Sequence, residues 1–205
     1  NKGRTWSQMN KDINLFNITS LAKNNDYLFA STRSGYYRSK RSKIKWEKIE
    51  VPSPIPSNSL YASGSKLVVN ELRSKDLGGG LYLSNDNGNS WTTFYKDQNV
   101  TNTNVFDDTV IGKVNSNLFI SLDFGKTWKS KEITDDVRFI EVLNNEIYIF
   151  PNYGNIIKYN FDFTKKETIT SILDKNFINS VSRKNNSFYI GTSSGMFIYE
   201  SFGKK

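Results

Sequence analysis

The chain has 205 residues, with 28 Lys and Arg against 20 Asp and Glu for a net charge of +8; apolar residues make up 37% and aromatics 14%. It contains neither Cys nor His, which excludes disulfides and thiolate chemistry and removes the commonest general base and transition-metal ligand. No run of about 18 apolar residues exists, so no helix is expected to span a membrane, and no cofactor or metal is implied.

Tyr (11) and Phe (14) are abundant, Asn is plentiful, and helix-favouring Ala and Leu are few. This points to an all-β chain in which large rings fill the space between thin sheets. The first residues, NKGRTW, read as the back half of a polar turn that ends in Thr-Trp. Residues 5–9 then read as a strand. NLFNITSLA is a strand, and after AKNND comes the hairpin DYLFASTRSGYYRS at residues 26–39. Period-two alternation around a short turn is the hairpin signature. SNSLYAS is the next lone strand, followed after SGSK by a hairpin, KLVVN and GGGLYLS, whose connection carries an insert of about eight residues that includes Glu71 to Asp76. NTNVFDD leads into the compact hairpin TVIGKVNSNLFIS at 109–121, VRFIEVL into EIYIFPNYGNIIKYN at 146–160, and FINSVSR into SFYIGTSSGMFIYE at 187–200.

Tryptophans stand at 6, 46, 91 and 128, spaced by 40, 45 and 37 residues, and a strand is expected after each. Internal periodicity of this length marks a repeat architecture. Five repeats of about 41 residues account for the chain, at 10–49, 50–94, 95–133, 134–170, and 171–205 completed by 1–9. The expected fold is a single domain over 1–205, a five-bladed β-propeller of four-stranded antiparallel blades, with a piece of a longer propeller of six to eight blades as the alternative. The last of the five blades takes its fourth strand from residues 5–9, which hides the sheet edges and ties the ring shut.

Two segments between the third and fourth strands share the pattern Ser-x-Asp-x-Gly-x-(Ser/Thr)-Trp: SNDNGNSW, with Ser84, Asp86, Gly88 and Trp91, and SLDFGKTW, with Ser121, Asp123, Gly125 and Trp128. The Asp carboxylate can accept backbone N–H groups of its own turn. Gly supplies a positive φ, and the Trp ring is expected to bury itself beside the fourth strand, worth roughly 2–3 kcal/mol. The turn reads as a structural fastener, with a catalytic or calcium-binding Asp as the lesser alternative.

These two segments resemble the Asp-box, or BNR repeat, of sialidases, sortilin-type receptors, photosystem II assembly-factor propellers and several glycoside hydrolases. The resemblance implies a β-propeller, with the boxes on the face away from the usual ligand site. It implies no single activity, because fold and function are separable. It also implies a secreted or otherwise extracytoplasmic protein.

Ligand-binding candidates are therefore sought on the opposite loops: Arg33, the insert residues Glu71, Arg73 and Lys75, Arg138, and Asn152 with Tyr153. The insert stands out because long loops on a rigid scaffold often carry function. Sialidases need three arginines, a Tyr–Glu pair and an Asp; Arg33, Arg73, Arg138, Tyr153 and Glu71 supply the types, but the arginine motif expected before the first box and a sixth blade are absent. Another glycoside hydrolase would need two carboxylates about 5–9 Å apart, and Asp135 or Asp136 with Asp97 or Asp174 is the pair to test. In the first repeat the box keeps Ser39 and Trp46 but carries a basic run, Arg38, Lys40, Arg41, Lys43 and Lys45. This reads as a solvated turn, with an acidic docking partner as its functional alternative. Nucleic acid is disfavoured, because no basic–aromatic array accompanies the charge. The expectation is a monomeric, non-catalytic module that binds a protein, peptide or glycan, with an extracytoplasmic glycoside hydrolase as the alternative.

Overall fold

The alternating segments become strands over most of the chain. The computed structural model describes residues 5–9, 17–53, 59–71, 79–169 and 176–200, and among these there is no helix. Among the described residues nineteen strands form five antiparallel sheets, four of four strands and one of three, each built from strands consecutive in sequence. They are β1 (Ile18–Lys23), β2 (Tyr27–Thr32), β3 (Gly35–Lys40) and β4 (Trp46–Ile49); then β5 (Ser59–Ser63), β6 (Lys66–Glu71), β7 (Gly80–Ser84) and β8 (Thr92–Phe94). The third sheet holds β9 (Val100–Phe106), β10 (Thr109–Val114), β11 (Asn117–Ser121) and β12 (Lys129–Glu132). The fourth holds β13 (Phe139–Leu143), β14 (Glu146–Phe150), β15 (Ile156–Asn160) and β16 (Lys166–Ile169), and the last β17 (Ile178–Lys184), β18 (Ser187–Thr192) and β19 (Gly195–Glu200).

The turn chemistry explains why the pairing register is tight. Between β13 and β14 both turn residues, Asn144 (φ 53°) and Asn145 (φ 59°), are left-handed. Two left-handed residues give the hairpin turn whose twist matches that of the strands. Between β2 and β3, the Thr32 hydroxyl accepts the Ser34 amide (3.1 Å) and donates to the Gly35 carbonyl (3.0 Å). Between β18 and β19, Thr192 does the same with Ser194 (3.2 Å) and Gly195 (2.9 Å). The sequences Thr-Arg-Ser-Gly and Thr-Ser-Ser-Gly thus fold alike, as expected of copies of one repeat.

The chain divides into two compact units, Asn1–Asp108 and Thr109–Lys205. In the first, the sheets β1–β4 and β5–β8 bury a shared cluster of Phe29, Tyr36, Ile49, Leu60, Leu67, Val69 and Tyr82. Ser20 Oγ donates to the Leu60 carbonyl across the two sheets (3.3 Å). In the second, β13–β16 and β17–β19 bury Leu143, Tyr148, Phe150, Ile156, Ile178, Phe188 and Ile190. Aromatic contacts dominate this cluster, with Tyr148 and Phe150 each within about 5 Å of Phe188. On β19 the alternation is visible residue by residue: Phe197 and Tyr199 turn towards that core, whereas Met196 and Ile198 are exposed.

The expectation for the chain's first segment meets a different arrangement. Residues 5–9 carry no strand, and the last sheet has three strands among the described residues. Trp6 is 91% exposed, so it does not anchor a fourth strand as the other tryptophans do. Instead the Met9 carbonyl accepts the indole N–H of Trp46 at the start of β4 (2.9 Å).

Candidate functional site

The two matching turns show what is already committed to structure. In residues 84–91, Ser84 Oγ donates to Asp86 Oδ1 (2.8 Å) and accepts the Gly88 amide (2.8 Å). Asp86 also accepts the amides of Asn89 (3.0 Å) and Ser90 (2.9 Å) and the Ser90 hydroxyl (2.6 Å). In residues 121–128, Asp123 accepts Ser121 Oγ (2.8 Å) and the amide (2.8 Å) and hydroxyl (2.7 Å) of Thr127. The Thr127 hydroxyl and amide hold the Asp123 carboxyl down to about 2. At Asp86 desolvation pushes upwards, but the Ser90, Ser84 and Asn89 hydrogen bonds outweigh it and the net shift is down. Both carboxylates are thereby filled by their own turns. Each turn passes through two left-handed residues, Asn87–Gly88 and Phe124–Gly125. Trp91 packs on the first unit's core, and Trp128 meets Phe119 edge-on at 5.4 Å. In the fourth sheet Asn160 takes over the fastening, accepting the Lys165 amide (2.9 Å), while Asp162 turns outward to an ion pair with Lys129. In the first sheet Ser39 Oγ accepts the Lys45 amide (2.9 Å), and Arg41 stands where the others have Asp.

The predicted binding residues separate into three groups. Arg33 is exposed in the two-residue turn between β2 and β3. Arg73 and Lys75 lie outside the described residues. Glu71 does not reach the surface: it ends β6 at 2% exposure and accepts the Tyr36 hydroxyl at 3.2 Å. Its Oε2 has no hydrogen-bond partner among the described residues. Burial pushes this carboxyl up to about 7, against the Tyr36 hydrogen bond that holds it down. The nearby Tyr82 phenol is pushed up to about 12 by burial and by the Glu71 and Asp97 charges. An enclosed acid of this kind is a core group that sequence placed in an exposed insert, because the strand continues one residue further than the alternation suggested.

The second unit does bring predicted residues together. The segment before β13, the β14–β15 loop, the residues before β17 and the β18–β19 turn meet at one end of their two sheets. Arg138 Nη1 donates to Asn152 Oδ1 (3.1 Å), and Asp136 Oδ2 accepts the Asn152 amide (3.0 Å) and its side-chain N–H. The Asn152 carbonyl in turn accepts the Ile178 amide (3.0 Å). Arg138 lies over the Phe177 ring at 4.3 Å, a cation–π distance. Tyr153 meets Phe177 edge-on at 5.2 Å and is 59% exposed. Phe177 is fixed by its amide to Ser193 Oγ (3.2 Å) and by its carbonyl, which accepts the Ser193 amide (2.9 Å). The result is an aromatic and amide platform of half-buried Arg138, Asn152 and Phe177 and exposed Tyr153, held by hydrogen bonds. Phe177 was not among the predicted binding residues; it read as the first residue of a strand, and only its position between Arg138 and Tyr153 gives it this role.

Of the carboxylates weighed as a hydrolytic pair, Asp135 accepts Lys166 Nζ (2.9 Å) and Asp136 secures Asn152. Asp174 lies outside the described residues, and Asp97 belongs to the first unit, where its amide donates to the Gly79 carbonyl (2.8 Å). Among the described residues no three Asp or Glu side chains converge to hold a metal ion, and no helix is long and apolar enough to cross a membrane.

No protein-family model matches the chain, and no curated protein matches it in sequence. Solved structures with β-propeller-like folds do match. "YCF48 bound to D1 peptide" superposes with a TM-score of 0.67 at 12% identity, over 89% of this chain and 63% of the other. The computationally designed Ika8 protein gives 0.70 at 10% identity, over 90% and 58%. The extracellular domain of BT4673 from B. thetaiotaomicron gives 0.63 at 15% identity, over 90% and 26%. The chain thus spans about three fifths of the length of the first two and about a quarter of the third. At these identities the likeness establishes the fold.

Proposed function

We propose that the chain is a non-catalytic binding module of the Asp-box propeller type, its five sheets serving as blades of one domain. Its ligand is a protein or peptide segment held at the platform of Arg138, Asn152, Tyr153 and Phe177. The observation that carries this reading is the exposed Tyr153 ring, braced by Phe177 and framed by Arg138 and Asn152. Tyrosine and arginine in a preorganised setting are the residues that dominate interfaces, because they contribute area and hydrogen bonds with little entropy to lose. A peptide-bound propeller among the similar folds supports the same class of ligand. Asp135 and Asp136 are occupied by Lys166 and Asn152, which weighs against the glycoside hydrolase alternative. We further propose a monomer working outside the cytoplasm, as an extracellular domain of similar fold does.

A displayed peptide library and a glycan array, each screened with the chain and with Tyr153→Ala, test the proposal. A peptide should be retained whose affinity falls about tenfold in the variant, with melting unchanged. Retention of glycans alone would replace the peptide by a sugar, and equal binding by both proteins would remove the platform from the function.

A further inference from the structure

The basic turn between β3 and β4 in the first unit is a second surface with its own chemistry. Arg41 occupies the place of the box Asp but does not fill its own turn. Its amide donates to the Asp26 carbonyl (2.8 Å), and its Nη1 donates to the carbonyls of Asn24 (3.1 Å) and Asn25 (3.0 Å). The guanidinium therefore clamps the β3–β4 turn onto the β1–β2 turn. Beside this clamp lies an open cleft of about 510 Å³, its walls including Asn25, Lys40, Ser42 and Asn87. Asn24 Nδ2 steadies the far wall by donating to Asn87 Oδ1 (2.7 Å) and the Gly64 carbonyl (2.7 Å).

The cleft is lined by two cations, Lys40 and Arg41, and one carboxylate, Asp26, and the β3–β4 turn that forms one of its walls carries further cations. Glu47 is the one carboxylate within residues 38–47, and it is taken by Arg38 at 2.6 Å. Lys40, Lys43 and Lys45 are exposed, and their ammonium groups make no ion pair among the described residues. Three unpaired cations on one short, anchored turn attract an anionic chain. The surroundings distinguish which kind. Tyr27, the aromatic residue on the wall, already packs on Phe29 (5.9 Å) and lies under Arg38 (5.4 Å), which leaves no ring for a base to stack upon. The amide of Asn25 and the hydroxyl of Ser42 match the peptide main chain.

We propose that this cleft and the basic turn beside it dock an acidic polypeptide segment, with Lys40 of the cleft wall and Lys43 and Lys45 of the same turn pairing its carboxylates and Asn25 and Ser42 bonding its main chain. The test is fluorescence anisotropy with a labelled ten-residue Asp/Glu peptide, an Asn/Gln peptide of the same length, and a single-stranded DNA of equal charge. The protein is compared with Lys40→Gln/Lys43→Gln/Lys45→Gln and with a charge-matched control, Lys126→Gln/Lys131→Gln/Lys165→Gln, whose lysines are exposed in the second unit. The acidic peptide should bind, with affinity falling about tenfold in the first triple variant and less than about twofold in the control. Its salt dependence should weaken in step. All three lysines are exposed, so unchanged circular dichroism and melting confirm that the variant is folded. An equal loss in both variants reduces the effect to net charge and overturns the proposal, as does absence of binding. DNA binding as tightly as the peptide overturns the assignment of partner. Tyr153→Ala leaves this binding untouched, so the result stands apart from the platform in the second unit.

Discussion

The turns at residues 84–91 and 39–46 are built on the same Ser and Trp positions, and they differ in where their polar groups point. In the first, Asp86 is filled by the amides and hydroxyls of its own loop, and Gly88 lets the chain pass close over the core. In the second, Arg41 reaches out to a neighbouring turn and the lysines around it stay in solvent. A loop whose polar groups are satisfied internally stabilises, and a loop that leaves them outward is available to a partner. The two turns differ in sequence by the exchange of Asp and Gly for Arg and Lys at the matching positions.

The largest effect should come from Gly88→Val. The residue has φ +88°, and a Cβ there would lie 3.1 Å from Ile49 Cδ1 and 3.3 Å from Leu67 Cδ1. Strain and overpacking together should cost about 2–4 kcal/mol in denaturant unfolding. Lys43→Val at the matching position of the basic turn should change stability by less than about 0.5 kcal/mol. Equal costs would show that the two turns are not different in kind.

Acid–base titration sharpens the contrast between enclosed and satisfied carboxyls. Glu71 is raised from 4.5 to about 7 by burial, so its stabilising contribution is complete below pH 4.5 and disappears as the pH rises through 7. Glu141 is raised to about 7 by burial, with Arg183 opposing, and acts in the same direction. The melting temperature should therefore decline between pH 4.5 and 7, and Glu71→Gln should flatten part of that decline. A melting profile level over this range would refute the enclosed acid.

Asp123 has the opposite sign. Its carboxyl is lowered from 3.8 to about 2 by the Thr127 hydrogen bonds, so its contribution is present above pH 3.8 and is lost as the pH falls through 2. Asp123→Asn should blunt the acid limb of the melting profile and leave the limb above pH 4.5 intact. The smallest effect is expected at Arg41→Gln. Its bonds are surface bonds to two carbonyls, so stability should shift by less than about 0.5 kcal/mol, measured by thermal unfolding. A larger loss would make the clamp structural rather than a wall of the cleft.

The strands were legible because alternation and turn residues are local properties. VRFIEVL, LNNE and EIYIF could hardly fold otherwise than as β13, a left-handed Asn-Asn turn and β14. The fastening role of Asp86 and Asp123 was legible for the same reason, since donor and acceptor sit within four residues of each other. Arg138, Asn152 and Tyr153 were legible as loop residues of one end, but their meeting point was not. Phe177 lies 24 residues beyond Tyr153, and no pattern in the chain announces a ring that lies under one neighbour's guanidinium and meets another's phenol edge-on.

By itself the sequence determined that this protein is a series of short antiparallel sheets with internally bonded Asp turns, because period-two alternation and side-chain-to-backbone hydrogen bonds act over a few residues. Only the tertiary structure decided that Glu71 is enclosed beside Tyr36, that the Met9 carbonyl meets Trp46 while residues 5–9 form no strand, and that Arg138 and Tyr153 share Phe177. Those outcomes depend on which sheet faces lie against each other and how much water remains between them, and burial at long range is set by packing rather than by neighbours in the chain.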